Sequence, residues 1–389
     1  MTAQNIVTSS KERPLIALVL TGGGARAAYQ IGVLQAVCSL LPDPRVNPFQ
    51  IICGTSAGAI NAVALACRAE NFQSSVDEIG SVWRSFHAHD VYRSDALGIG
   101  ATGARWLAVL ALGWLIRMGP RSLLDNAPLG ELLARRVDFA GIDRAIGSGA
   151  LHAVSVTVSG YASGESVSFF QGGGDVQGWR RAQRIGCRAR LGVEHLLASS
   201  AIPFVFPAQR IHREYFGDGS MRQLAPLSPA VHLGAQRILV IGSGRMHEPD
   251  QHTRHAQAGY PSLAQVAGHA MSSIFLDSLS ADVEQLDRIN HLLNRVPPEA
   301  LVDAGLSFRP IRSLVIAPTH RLDHLAARHA RSLPTPVKFM LAGIGATRRR
   351  GGALLSYLLF EQPYTRALIE MGYQDGMAQK DALIELLDI

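Results

Sequence analysis

The sequence predicts an α/β protein with a mainly parallel central sheet and helices on both of its faces. Short apolar runs alternate with longer helical stretches from the first strand onward. Runs such as "LIALVL" and "ILVIG" are apolar throughout, as strands covered on both sides must be. No internal repeat, low-complexity segment or Ser/Gly tether divides the 389 residues. With 47% hydrophobic and 17% charged residues, the chain can bury a substantial core, and wholesale disorder is excluded.

Residues 1–13 read as a tail, and residues 15–20 as the first strand. That apolar run is too short for a signal peptide and leads straight into glycines, so neither a signal peptide nor a membrane-spanning helix is recognised. A cytoplasmic protein with at most peripheral membrane contact is expected. Residues 27–41 form a helix that stops before Pro42 and Pro44. A second strand at 49–53 precedes a small-residue helix at 57–67. The apolar stretch 106–116 is too short to span a bilayer, which needs roughly 20 residues; it is either a buried helix or a lipid-touching segment. "LHAVSVTVSG" and "ESVSFFQG" read as a hairpin turning at 161–164.

"WRRAQRIGCRARLG" carries Arg180, Arg181, Arg184, Arg188 and Arg190 and no acid. It reads as a solvated basic helix face or as a surface for anionic headgroups. Residues 211–216 are strand-like, and "QRILVIGSG" and "RSLVIAP" are further buried strands. From Phe275 to Val296 apolar residues recur at spacings of three and four until Pro297-Pro298 ends the helix. The expected organisation is a catalytic domain at 14–245 and a largely helical extension at 246–389, packed on the same domain because "RSLVIAP" returns to its sheet.

Cys38, Cys53, Cys67 and Cys187 lack CxxC spacing, so a reducing compartment and no metal site are expected. The net charge of +6 points to an anionic partner. Aromatics at 6% and the absence of nucleic-acid-binding motifs favour a membrane surface over nucleic acid.

"TGGGARAAYQIG" places glycines between the first strand and the first helix, where backbone N–H groups converge and favour negative charge. A Walker loop is excluded because no Gly-Lys-Ser/Thr follows. A dinucleotide fingerprint fits poorly: Ala27 replaces the third glycine, and Cys53-Gly54 stands where an acid would close the second strand. Beside that weaker reading stand a tight strand-to-helix turn and an oxyanion hole formed by the N–H groups near Gly23, Gly24 and Ala25, with Arg26 adding a cation near the developing charge or a lipid phosphate.

Gly54-Thr55-Ser56-Ala57-Gly58 fits G-x-S-x-G between a strand and a helix, the context that presents a serine nucleophile on a strained turn. Ser56 needs a base. A Ser-His-Asp esterase or thioesterase would draw on a downstream histidine, but His247, His252 and His255 lie in a polar loop and His269 and His291 in helical runs. Asp218, between Gly217 and Gly219 at a strand end, is either a turn residue or the base.

Taken in order, "GGGARAAYQIGVL", "GTSAGAINA", "LLASSAIPFVFPA" and "FGDGS" resemble the patatin-like phospholipases over roughly residues 14–244, and later segments look similar to bacterial members. The resemblance implies a three-layer patatin-like fold and a Ser–Asp dyad that cleaves fatty-acyl esters of (lyso)phospholipids without histidine, cofactor or required metal. It assigns Ser56 as nucleophile, Asp218 as its partner, Gly22 to Arg26 as the oxyanion loop, and places Pro203 near the catalytic loop. Two departures stand out: Ser220 follows Asp218-Gly219 where glycine or alanine is usual, and Ala27 follows Arg26 where glycine is frequent.

Overall fold

A computed structural model describes residues 14–95, 122–244, 262–303, 308–343, 345–346 and 351–389. The stretch 106–116 and His247, His252 and His255 lie outside these residues. The strands are β1 (Ile16–Leu20), β2 (Ile51–Thr55), β3 (Ala153–Gly160), β4 (Ser166–Gly172), β5 (Trp179–Arg181), β6 (Arg184–Arg188), β7 (Gln209–Ile211), β8 (Glu214–Asp218), β9 (Arg237–Ile241) and β10 (Arg312–Ile316). They form one sheet in the order β10-β9-β1-β2-β3-β4-β6-β5, with β8 paired to β3 and β7 to β8.

The run from β10 to β3 is parallel throughout. Beyond it, the pairings β3–β4, β3–β8, β5–β6 and β7–β8 are antiparallel. Alternate residues of one strand serve opposite faces. Leu18, Leu20, Ile52 and Val154 join one apolar cluster, while Ala17, Val19, Ile51 and Ala153 join another. Burial on both sides is why β1 and β9 carry no polar alternation.

Helix α1 (Ala28–Leu40) follows β1 through a short 3-10 turn, Gly24–Ala27; α2 (Ala57–Ala66) follows β2, and α3 (Phe72–Ser85) packs beside it. Against α1 lies the late helix Gln362–Ala378, where Tyr29 donates a hydrogen bond to Asp375 at 2.9 Å. No helix among the described residues is long and apolar enough to cross a membrane.

Three local expectations are corrected. The second strand starts and ends two residues later than predicted and runs up to Ser56 itself. The run 211–216 is broken: His212 takes a positive φ of 52° and splits it into the β7–β8 hairpin. The arginine-rich stretch is strand, not helix, because it supplies β5 and β6 at one edge of the sheet. There Arg180 pairs with Glu165 at 3.2 Å, and Arg188 donates to the carbonyl oxygens of Gly172, Gly173 and Val176. Exposed charge on an edge strand also discourages pairing with another chain.

Candidate active site

Two sheet pairings bring the sequence-predicted residues together. Because β1 and β2 run parallel with Leu20 opposite Gly54, the glycine loop and Ser56 emerge side by side at the same end of the sheet. Asp218 arrives from the opposite direction. β2 pairs with β3 as far as Thr55 opposite Thr157, and β8 takes up the same edge antiparallel, with Asp218 opposite Val158. The two strands therefore meet end to end along one edge of β3, and Ser56, just past the end of β2, meets Asp218 at the end of β8.

At this junction Ser56 Oγ donates a hydrogen bond of 2.5 Å to Asp218 Oδ2. Both residues are buried, each 1% exposed. Ser56 has φ 55° and ψ −132°, a strained conformation for a residue with a Cβ and one that recurs at functional turns. Close packing enforces the turn: a methyl on Gly58 would strike the carbonyl oxygens of Leu20 and Thr21 at the end of β1. Burial pushes the Asp218 carboxyl up to about 6, while hydrogen bonds from Ser56 and from the N–H and hydroxyl of Ser220 hold it back. The Ser220 N–H reaches Asp218 Oδ1 at 2.9 Å. The serine that departs from the usual glycine or alanine thus touches the carboxylate.

The glycine loop is fixed by two later segments of the chain. Ser243, after β9, donates its hydroxyl to the Gly22 carbonyl and its N–H to Thr21 Oγ1 at 3.1 Å. Gly24 has φ +55°, and a Cβ there would meet the Tyr357 carbonyl, so this position requires glycine. Ala25 is fully buried in the 3-10 turn, and the Arg26 N–H closes that turn onto the Gly23 carbonyl at 3.1 Å. Arg26 itself is 4% exposed; its Nε donates to Ser356 Oγ at 2.8 Å and its Nη1 to the Tyr357 hydroxyl at 3.0 Å. Its guanidinium anchors the helix Gly352–Leu358 to the loop. Ala27 fits without strain, buried, with its carbonyl accepting from Asn61 at 3.2 Å.

Sequence reasoning missed a clamp. Ser199, at the end of the helix Val193–Ser199, accepts the Ser56 N–H at 2.8 Å and donates to the Thr157 carbonyl at 2.7 Å. Two residues on, the Ala201 carbonyl accepts the Asp218 N–H at 3.0 Å. One short segment therefore holds the backbone of both strand ends. The "SSAIP" run marks the place, but the partners are remote in sequence and nothing local reveals them. Among the described residues no group of three or more His, Cys, Asp or Glu converges as a metal cage.

The family model for patatin-like phospholipases matches residues 18–231. The chain belongs to that family. It is 32% identical over 212 residues to a cGAMP-activated phospholipase of Pseudomonas aeruginosa, an alignment covering 54% of this chain and 53% of that protein. It thus spans about half the length of that relative. Among solved structures, VipD of Legionella pneumophila is similar with TM-score 0.36 and 13% identity over 95% of this chain and 67% of that one. Human GIVD cytosolic phospholipase A2 gives 0.43 and 13% over 96% and 59%. Likenesses this distant say nothing about chemistry.

In this patatin-like chain Gly24 and Ser56 share the wall of a cavity of about 100 Å³. Its lining is mainly apolar, contributed by α2, α3 and the helix Ala127–Arg136, with Phe206 and Phe360. A buried hydroxyl–carboxylate pair beside a glycine loop and an apolar cavity suits attack on a carbonyl that carries a long apolar group.

Proposed function

We infer that the chain is a lipid acyl hydrolase that cleaves fatty-acyl esters of (lyso)phospholipids through an acyl-enzyme on Ser56. The observation that carries this reading is the 2.5 Å hydrogen bond from Ser56 Oγ to the buried Asp218 carboxylate. Family membership supports the ester chemistry and the apolar cavity supports the acyl group. Among the described residues no histidine hydrogen-bonds Ser56, which disfavours the Ser-His-Asp alternative.

In the proposed reaction Asp218 takes the Ser56 proton while Oγ bonds to the ester carbonyl carbon. Loop N–H groups at Gly23 and Gly24 receive the oxyanion; losing one such donor costs about 3 kcal/mol of transition-state stabilisation. As the tetrahedral species collapses, the ester C–O bond breaks and the leaving alcohol takes the proton from Asp218. Water then gives a proton to Asp218 and its oxygen attacks the acyl carbon. The free fatty acid departs and Ser56 regains its proton.

An alkyl fluorophosphonate should label Ser56 in the intact protein and fail on Ser56→Ala. Asp218→Asn should lower ester hydrolysis by about two to four decades, the usual worth of a general base, with the fold retained by circular dichroism. Full activity in either variant overturns the dyad.

A further inference from the structure

We propose that the cavity beside Ser56 is an acyl channel whose apolar length, matched to chains of roughly 12 to 14 carbons, ends at the solvent-facing Arg68–Glu78 ion pair. The proposal rests on the reading that Ser56 carries the acyl group.

The floor is one face of α2 together with Ser56 just before its start and Arg68 in the turn after its end. Ser56, Ile60, Ala64 and Arg68 recur every fourth residue and all line the cavity. Ile60 and Ala64 remain only half-buried in a helix whose other apolar residues are buried. α3 forms the facing wall in the opposite direction, and two cross-links fix its register. Near Ser56, Trp83 Nε1 donates to Asn61 Oδ1 at 2.9 Å; at the far end Arg68 binds Glu78 through both guanidinium nitrogens, at 2.7 and 2.9 Å.

The span from Ser56 to Arg68 is about 18 Å at the helical rise of 1.5 Å per residue. A zigzag chain advances about 1.25 Å per carbon, given ordinary bond lengths and angles, which sets the carbon number. Polar atoms along the way are already paired. Asn61 donates to the Ala27 carbonyl and to Gln30, and Ser75 donates to the Ala64 carbonyl, so the middle of the channel offers an apolar surface. Beyond it stand Arg68, Glu78 and Asp138. A longer chain would push its methyl end among these charges and strip their water, which is unfavourable.

The test follows the rate at which butyl, dodecyl and octadecyl fluorophosphonates, kept below their micellar concentrations, label Ser56 in the full chain. Dodecyl is expected to be fastest. Ala64→Phe sets a ring in mid-channel and should lower the dodecyl-to-butyl ratio by at least about tenfold. Arg68→Ala should raise the octadecyl-to-dodecyl ratio about tenfold, the low end of what one methylene is worth in an apolar pocket. If no probe labels Ala64→Phe, Val82→Phe, from the facing wall, decides in its place. Ratios that stay at wild-type values while every probe labels overturn the channel and leave the Ser56 chemistry standing. A wild-type chain labelled by none of the probes overturns both.

Discussion

Asp218 shows how far surroundings decide what a carboxyl does. In water it would be ionised at any pH above about 4 and a poor base. Buried at the strand junction it rises to about 6, close to the range where a base can both hold and release a proton. We therefore expect kcat/KM to climb as pH rises through about 6, read from a pH–rate profile on a soluble ester. Stability moves the other way. The folded state holds this proton more tightly than the unfolded chain, so the carboxyl's contribution is full below about pH 4 and is lost between there and about 6. At neutral pH the ionised group costs about 3 kcal/mol relative to a neutral one. Asp218→Asn, already expected to be inactive, should thus raise the urea midpoint at pH 7 and lose that advantage near pH 4. An unchanged midpoint at pH 7 would contradict the assignment. Ser56 was legible from its neighbours because a glycine-framed turn is a local event. Asp218 was only half legible, since a turn and a base share the same local pattern and only the remote partner separates them.

Among the elements, β3 aligns the site. Its edge receives β2 from one direction and β8 from the other, and Ser199 ties the Ser56 N–H to the Thr157 carbonyl on that strand. Ser199→Ala would leave both groups buried without that partner. It should lower stability by about 1–3 kcal/mol, the cost of orphaned buried polar groups. Labelling of Ser56 by fluorophosphonate should slow as well, measured at a temperature where the variant is fully folded. A variant labelled at the wild-type rate would show that the turn holds without its clamp. Strands β1 and β9 could be read from sequence because burial on both faces leaves an unbroken apolar run. Of the antiparallel part, the β3–β4 hairpin was legible from its turn at 161–164, but the pairings of β5 to β8 were not. The β7–β8 turn depends on a positive φ at His212, and β5–β6 is an edge hairpin whose arginines look like any basic surface.

For the whole molecule, the late segments do more than cover the sheet. β10 extends it beyond β9, Phe275 stacks on Tyr357 at 5.1 Å between ring centroids, and Tyr357 and Ser356 hold Arg26. "RSLVIAP" announced the strand, since its apolar run is strong. Nothing in "LLSYLLFEQPY" announced the hold on the glycine loop, because an arginine in a glycine-rich motif suggests an anion and not a distant serine and tyrosine. The double variant Ser356→Ala, Tyr357→Phe keeps Ser56, Asp218 and the late helices but lacks that hold. It should be labelled by fluorophosphonate at least about tenfold more slowly than the wild-type chain, in line with lost orientation of the oxyanion donors.

The hold on Arg26 joins positions 330 residues apart, and it therefore orders events during synthesis. The ribosome delivers Ser56 and then Asp218 long before Ser356 emerges, and domains take shape from the N-terminal side as they appear. A half-made chain thus owns its reactive pair while its glycine loop is still unbraced. The loop gains its brace only once Ser356 and Tyr357 have been made, well after Ser56 and Asp218 are both in place.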